Sequence, residues 1–343
     1  NLEHLEDVPV YASLGLYYGA ETVALGFKLN DGEGKTMGLA AFGKTRVCLL
    51  EMRNIFPYFD SQKWVPKKNW LEINGVSRLE YFRLTPTYRF LRKLVEEYGA
   101  EEVAWASQTV LEEQLETFFR YLVKKYKNKS IAVAGGIFLN VKLNSLLLQK
   151  KIIDNLFVYP NPADGGVAVG AAISAYKLKG GKVPVIKMTS TNLGCQFNKN
   201  QIMQDLKLFN GKIKYIKLGK KLTKVVAKKI SAGIVIGWFQ GRGEWGPRAL
   251  GNRSVLADPR DIQTKTRINS KLKERDWFMP FAPVILEEFK NDFLTTGLGN
   301  PFMTLTDEVK PEQAKKIPAA IHIDQTARSQ IISKNENQLY WEL

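Results

Sequence analysis

The sequence contains few cysteines and histidines, and it lacks a long apolar run. Two cysteines and two histidines among 343 residues are too few for a disulfide framework or a thiolate metal site. No apolar stretch approaches the roughly eighteen residues that span a bilayer. The acidic, polar N-terminal residues also lack a signal-peptide pattern. We therefore expect a protein of a reducing compartment, by default the cytoplasm, that has no membrane partner.

Positive charge is in excess. Lysine and arginine number 50 against 34 acidic residues, which gives a net charge of +16 and predicts attraction to anions. Nine lysines lie between Lys207 and Lys229 without one Asp or Glu. A solvated face and an RNA contact both remain open for this stretch. No RNA-binding fingerprint accompanies it, so nucleic acid is the weaker interpretation.

The length and the punctuation of the chain predict two domains. At 343 residues with 45% hydrophobic content, the chain exceeds a usual single domain and has enough apolar side chains for two cores. Glycines and a proline between 180 and 188 favour a linker there. We therefore predict one domain over 1–185 and a second over 190–343.

Periodicity predicts an α/β layer in the first domain. Apolar residues at helical spacing predict a helix over 107–126. A buried strand is predicted at 130–134 and a second strand at 156–159. Each is followed by a glycine turn and a helix, the second from Gly166 to Tyr176. Such alternation places loops at the carboxyl ends of strands, where they face one crevice. The stretch 48–87 shows no steady periodicity, and we expect an insertion that contributes a substrate-facing wall.

In the second domain, the lysine-rich stretch predicts a strand over 212–216 and a helix that starts near Leu222. A glycine-rich segment follows a strand at 236–239, which is expected to be buried. Five glycines and a proline over 237–251 forbid a long helix before Ser254. Four arginines accompany them, at positions 242, 248, 253 and 260. Guanidinium groups match phosphate and carboxylate oxygens, and glycines let backbone N–H groups approach the same ligand. The segment predicts an anion site, with a solvated basic loop as the alternative.

Three shorter motifs each have two interpretations. Gly135 and Gly136 follow a strand, which suits either a nucleotide phosphate loop or an ordinary turn. Asp164, ahead of the next helix, suits an N-cap or a metal ligand. Lys35 lies in a glycine-punctuated loop that lacks Walker spacing, because Leu29 stands where a glycine is required. That loop is either a turn before a helix or an anion contact.

Together, the segments 237–254, 134–140 and 162–166 closely resemble the O-carbamoyltransferase family of nodulation-factor and antibiotic biosynthesis. The resemblance runs from Tyr11 to about Arg328. It implies an α/β fold class with an actin/Hsp70-type, ribonuclease H-like ATPase subdomain followed by an α/β YrdC-like domain. Against the family pattern, the chain is expected to lack an N-terminal metal-binding lobe and the extreme C-terminal segment.

The resemblance also implies roles for individual residues. The residues expected to act in catalysis are Arg248, Arg253, Lys273 and Arg328, with Arg260, Lys271 and Arg275 ranked below them. The residues expected to bind the nucleotide are Gly135, Gly136, Asn140, Gly165 and Gly166. Substrate contacts are expected from Lys35, Asn252 and Ser254, and a metal contact from Asp164. In the family, two histidines of a His-x-x-x-His motif join that aspartate, but the histidines here, His4 and His322, form no such motif.

The implied activity is ATP-dependent carbamoyl transfer. Carbamoyl phosphate and ATP would give carbamoyl-adenylate, and a hydroxyl of a sugar or natural product would accept the carbamoyl group. A divalent metal, iron-like or magnesium, belongs to this expectation, and a homodimer is compatible with it. Two alternatives stay open: a tRNA threonylcarbamoyladenosine-type transferase, favoured by the positive charge, and a noncatalytic nucleotide-binding module.

Overall fold

The computed structural model describes residues 3–45, 47–67, 85–183, 188–209 and 211–343 as a mixed α/β protein. Two compact units divide it. Unit 1 comprises Asn1–Val158 with Glu274–Pro280, and unit 2 comprises Tyr159–Lys273 with Phe281–Leu343. The domain ranges inferred from the sequence stay predictions. No helix within the described ranges is long and apolar enough to cross a membrane.

Unit 1 contains six α-helices and two pairs of strands among its described residues. The helices are α1 (Leu14–Ala24), α2 (Glu33–Leu39), α3 (Leu49–Ile55), α4 (Pro86–Tyr98), α5 (Ala100–Tyr126) and α6 (Val141–Gln149). The strands are β1 (Tyr58–Phe59), β2 (Trp64–Val65), β3 (Ser130–Val133) and β4 (Asn155–Val158). Helix α3 and strands β1 and β2 belong to the insertion predicted over 48–87, and the rest of that stretch lies partly outside the described residues.

Helix α5 is the central element of the unit 1 core. Its N-terminus follows Gly99, whose φ of 90° suits a residue without a side chain. Val103, Leu111 and Phe119 on its apolar face are buried in one large hydrophobic cluster. The helix predicted over 107–126 is therefore confirmed, and it begins seven residues earlier, since the structure starts it at Ala100.

Strands β3 and β4 pair in parallel, with Ser130 opposite Asn155 and Val133 opposite Val158, and α6 connects them. The predicted strand–helix–strand order is thus confirmed. The burial predicted for β3 was wrong: Val133 is its one buried residue, and Val158 is the one buried residue of β4. The reason is that each strand has a single sheet partner among the described residues.

Unit 2 is built from shorter elements. Its helices are α7 (Val167–Leu178), α8 (Lys199–Leu208), α9 (Leu222–Ser231), α10 (Gln263–Ile268), α11 (Lys290–Phe293), α12 (Pro311–Ala314) and α13 (Gln338–Glu342). Its strands are β5 (Ile236–Phe239), β6 (Arg253–Leu256), β7 (Val284–Leu286), β8 (Asp307–Glu308), β9 (Thr326–Ala327) and β10 (Gln330–Ile332). The pairs β5–β6 and β8–β9 are antiparallel, whereas β7 and β10 run in parallel.

Three expectations for unit 2 can be compared with these elements. The predicted helix starts near Gly166 and Leu222 are confirmed by α7 and α9. The predicted strand over 212–216 was wrong, because this stretch adopts no strand and pairs with no described strand. Its apolar residues alternate with lysines and remain exposed, as Ile216 at 83% shows. Strand β5 was expected to be buried, but only its Trp238 is, since β6 is its one described sheet partner.

Candidate functional site

The glycine-rich segment of unit 2 forms the connection of a β-hairpin. Strands β5 and β6 pair from Ile236 opposite Leu256 to Phe239 opposite Arg253, and residues 240–252 form the loop between them, here called the hairpin loop. Gly251 has a φ of 98°, and a Cβ atom at this position would lie 2.3 Å from the Tyr340 ring. Both the backbone conformation and the close packing therefore require glycine here.

Glu244 organises the hairpin loop from inside. Its Oε1 accepts hydrogen bonds from the backbone N–H groups of Leu250 at 2.8 Å, Asn252 at 2.7 Å and Arg253 at 3.0 Å. A carboxylate that accepts several backbone N–H groups fixes a turn strongly. The sequence analysis did not identify this residue. The available signal was a single acidic residue inside an arginine-rich, glycine-rich loop.

Arg253 closes the same loop rather than facing open space. Its guanidinium donates to the backbone carbonyls of Gln240 at 2.6 Å, Asn252 at 2.9 Å and Gly241 at 3.1 Å. Its Cζ lies 3.5 Å from the centroid of the Phe239 ring, a favourable cation–π geometry. The structure thus gives Arg253 a positioning role in the loop.

Asn252 and Ser254 also serve the loop. Asn252 is 4% exposed, and its Nδ2 donates to the Arg242 carbonyl at 2.7 Å. The Nδ2 of Asn337 donates to its Oδ1 at 3.2 Å. The Ser254 hydroxyl accepts from the Gly251 N–H at 2.9 Å. Both side chains predicted as neutral donors to a substrate are therefore engaged with the protein itself.

Two of the predicted arginines come together. The Gln330 side chain at the start of β10 donates to the Leu250 carbonyl at 2.7 Å and ties the hairpin loop to this strand. Arg328 lies just ahead of β10, and Arg248 lies near the end of the loop. Burial, followed by the positive charge of Arg328, lowers the pKa of Arg248 to about 9. Like charges on two half-buried guanidinium groups repel each other, and an anion bound near both relieves that repulsion.

The remaining predicted cations lie elsewhere. Lys271 and Lys273 are exposed. Within the described part of the chain, no hydrogen bond joins Lys273 to Arg248. Arg260 pairs with Asp258, its Nε lying 2.9 Å from Oδ1. Arg275 belongs to unit 1, where burial lowers its pKa.

Lys35, predicted as an anion contact, has a carboxylate partner in unit 1. It lies in α2, its Nζ is 2.8 Å from Oδ2 of Asp276, and it sits 5.4 Å from the centroid of the Phe27 ring. The turn ahead of α2 is fixed by Glu33, whose Oε1 accepts from the Asn30 N–H at 2.8 Å. The loop thus forms the predicted turn before a helix, and the anion contact of Lys35 stays a prediction.

The first glycine pair has turn geometry in unit 1. Gly135 has a φ of 118°, and Gly136 begins the short 3-10 helix Gly136–Leu139. The side chain of Asn140 caps α6, because its Oδ1 accepts from the Leu143 N–H at 3.1 Å. The same side chain exchanges two hydrogen bonds with Gln108, at 2.8 and 3.2 Å. Of its two predicted roles, the structure displays the helix-stabilising one.

The second glycine pair packs tightly in unit 2. A Cβ on Gly165 would lie 2.4 Å from Nδ2 of Asn161, and one on Gly166 would lie 2.3 Å from the Asn161 carbonyl oxygen. Asp164 is exposed and caps neither its own turn nor α7.

No group of three His, Cys, Asp or Glu side chains suited to a metal occurs among the described residues. His4 pairs with Asp7 at 2.9 Å and His322 with Asp324 at 3.1 Å, in the two different units. The residues that the structure describes therefore do not fit the metal site that the resemblance implies.

Comparison with known proteins identifies the family. The family model described as Carbamoyltransferase N-terminus matches residues 3–173, and the one described as Carbamoyltransferase C-terminus matches residues 227–343. Uncharacterized protein MJ1058 of Methanocaldococcus jannaschii is 34% identical over 335 residues, which is 97% of this chain and 54% of that protein.

Two nodulation proteins are similarly related. Nodulation protein NolNO of Sinorhizobium fredii is 34% identical over 99% of this chain and 49% of its own length. Nodulation protein NolO of Bradyrhizobium diazoefficiens is 32% identical over 100% of this chain and 61% of its own length. The chain thus spans about half to three fifths of the length of these relatives. Because both family models match and together cover most of its length, the chain belongs to the carbamoyltransferase family.

Proposed function

We propose that this chain carries the carbamoyl-activating part of an ATP-dependent O-carbamoyltransferase. In this proposal, carbamoyl phosphate, one water molecule and ATP yield carbamoyl-adenylate, phosphate and pyrophosphate. A hydroxyl of a sugar or natural product then accepts the carbamoyl group, and AMP leaves. An actin-like ATPase subdomain and a YrdC-like domain form the proposed framework. Family membership supports carbamoyl transfer, and the chemistry of unit 2 supports the anionic substrate.

The pair Arg248 and Arg328 is the observation that carries the proposal. Burial, and after it the positive charge of Arg328, lowers the pKa of Arg248 to about 9, yet the guanidinium remains charged at neutral pH. Holding two like charges together costs free energy, and a phosphate group between them offsets this cost through charge-assisted hydrogen bonds. Carbamoyl phosphate offers such a group beside a planar amide.

The hairpin loop supplies the rigidity that such a site needs. Glu244 and Arg253 fix the backbone from opposite sides of the loop, and Gln330 anchors it to β10. Donors held in advance stabilise charge that develops in a transition state without reorganisation at the moment of reaction. We therefore assign anion contact to Arg248 and Arg328, and the positioning of the loop to Arg253.

The experiment measures the binding of carbamoyl phosphate by calorimetry. Replacing Arg248 and Arg328 together by alanine should weaken binding by about a hundredfold, because each removes a hydrogen bond to a charged group. Arg267→Ala is the matched control: its guanidinium lies 3.7 Å from an Asp261 carboxylate, outside the hairpin loop. Unchanged affinity in the double variant would contradict the proposal.

Turnover and RNA binding distinguish the alternatives. Carbamoyl phosphate-dependent pyrophosphate release supports the adenylate route, and nucleotide binding without release supports a noncatalytic module. The exposed lysines between Lys207 and Lys229 favour the tRNA alternative. Retention of tRNA that weakens steeply with salt would support it, since released counterions dominate such binding.

A further inference from the structure

A connecting segment of unit 2 has the composition of a β-strand without a sheet partner. It comprises residues 212–217, with the sequence Lys-Ile-Lys-Tyr-Ile-Lys, and is here called the lysine segment. Isoleucine and tyrosine favour strands because they pack well on a pleated surface. In the structure, residues 213–218 belong to no helix, strand or turn, and they lead from α8 to the 3-10 helix Gly219–Lys221 ahead of α9. The local preference for a strand is therefore not met within the described chain.

The backbone of the lysine segment is available for pairing. From Lys214 to Lys217, no backbone N–H or carbonyl group forms a hydrogen bond with any residue that the structure describes. A row of unpaired donors and acceptors on a strand-forming sequence is a template for another strand. This segment can therefore form a ladder of hydrogen bonds with a partner without first breaking bonds of its own.

The apolar side chains of the lysine segment also lack cover. Ile213 is 48% exposed, Tyr215 57% and Ile216 83%. Single exposed apolar residues are normal on a protein surface, but here three of them lie within four residues. A neighbouring strand would cover them with its own side chains, since residues directly opposite each other in a ladder are in contact.

The charge of the region selects the partner. Nine lysines and no acidic residue lie between Lys207 and Lys229. Two antiparallel copies of the lysine segment would place Lys212 opposite Lys217, and like charges directly opposite each other are destabilising. RNA would satisfy the charge but would leave the isoleucines and the backbone unpaired, and a lipid surface would also leave the backbone unpaired. A protein strand that carries carboxylates satisfies all three features.

We propose that the lysine segment docks as an added strand at the exposed sheet edge of an acidic partner protein. The backbone ladder supplies the attachment, and glutamates or aspartates opposite the lysines supply the specificity. The partner contributes a sheet rather than a lone strand, because two strands alone are only marginally stable in water. Neither Arg248 nor Arg328 takes part, so this proposal and the proposed function can fail separately.

Binding of a β-hairpin peptide to the full chain, measured by fluorescence anisotropy, tests the proposal. The probe is a backbone-cyclised hairpin whose outer strand reads Glu-Val-Val-Glu-Val-Glu, which sets a glutamate opposite each lysine of the antiparallel lysine segment. The control peptide has the same sequence with methyl groups on the outward amide nitrogens of that strand, which blocks pairing and keeps the charge. We expect methylation to weaken binding about tenfold or more, because several backbone hydrogen bonds are lost.

Two variants test the groups on the chain itself. Ile216→Pro removes a backbone donor and should weaken probe binding about five- to tenfold with an unchanged thermal transition, because the side chain is exposed. Lys214→Glu combined with Lys217→Glu should weaken it about tenfold, since attraction becomes repulsion. Lys315→Glu combined with Lys316→Glu is the matched control. These lysines of unit 2 are exposed outside the lysine segment, so affinity should stay within about twofold at physiological salt.

Three results would overturn the proposal. Equal binding of the methylated and unmethylated peptides would show that charge alone attracts the probe. Failure of the probe to bind would exclude the added strand, and binding of oligouridylate or of phosphatidylglycerol vesicles in its place would identify a nucleic acid or a membrane as the occupant. Self-association of the chain in analytical ultracentrifugation that Ile216→Pro abolishes would identify a second copy.

Discussion

The hairpin loop of unit 2 and the core of unit 1 each enclose a glutamate. The two glutamates differ in the hydrogen bonds that their carboxyl groups accept. Glu244 accepts hydrogen bonds from three backbone N–H groups, which hold its carboxylate in place. Glu21 on α1 is 1% exposed, and neither of its oxygens meets a hydrogen-bond donor among the described residues. Burial raises its pKa well above the usual 4.5.

The two carboxyl groups differ because the backbone around them offers different numbers of free N–H donors. A loop without regular structure has free N–H groups that need an acceptor, whereas a helix uses its N–H groups internally. Ser107 lies beside Glu21 and lowers its pKa in part, but its hydroxyl donates to the Val103 carbonyl at 2.8 Å. The Glu244 carboxylate therefore organises the hairpin loop, whereas burial among helices favours the neutral form of the Glu21 carboxyl group.

Removing Glu244 should produce the largest effect. Glu244→Ala leaves three backbone donors of the hairpin loop without their acceptor and should destabilise the protein by about 3 kcal/mol, since each orphaned donor costs about 1–3 kcal/mol and water recovers part of it. Urea denaturation measures this change. Glu244→Gln retains an acceptor oxygen, so it should cost less than the alanine variant. Equal stability of wild type and alanine variant would refute the role of the loop carboxylate.

The sequence predicted much of the fold because the relevant signals were local. The apolar spacing of α5 and the glycine turns after β3 and β4 depend on residues close in the chain. The sequence-based expectation of burial failed for β3 and β5, because burial depends on partners: each strand has one buried residue of four and one described sheet partner.

The candidate site shows the same limit. Sequence reasoning identified the arginine-rich segment, yet Arg253 and Arg248 look alike in the sequence and differ in the structure. Arg253 is committed to loop carbonyls, and Arg248 lies beside Arg328, eighty residues away in the chain. The hydrogen bond from Gln330 to Leu250 is one tertiary contact that ties the segments of the latter pair together. Two residues so far apart in the chain show no spacing pattern in the sequence from which their proximity could be predicted.

Glu21→Gln should sharpen the comparison through pH. Because the folded-state pKa of Glu21 is raised, the folded protein retains a proton that the unfolded chain releases above its pKa of about 4.5. Stability from this group is therefore complete below that pH and falls as pH rises toward the folded pKa, by up to about 1.4 kcal/mol per pH unit.

The measurement is the difference in unfolding free energy between wild type and Glu21→Gln from pH 4 to pH 8. The variant has no ionisable group at this position, so its advantage should grow with rising pH. Other carboxylates contribute equally to the pH dependence of unfolding in both proteins, so their contributions cancel in the difference. A difference independent of pH would show that Glu21 is ionised in the folded state.

Arg260→Ala should have the smallest effect on stability. It tests a third arrangement, in which a carboxylate pairs with an arginine side chain. Asp258 is 8% exposed, and its pKa is lowered chiefly by the Arg260 guanidinium, whose Nε lies 2.9 Å from Oδ1. Unlike Glu244, Asp258 relies on an exposed partner that water screens. The variant should shift the melting temperature slightly at neutral pH, and this shift should vanish as pH falls through the lowered pKa of Asp258, because protonation removes the pair. A loss as large as that in Glu244→Ala would show that an exposed cation holds a carboxylate as firmly as backbone donors do, and the contrast between loop and surface would fail.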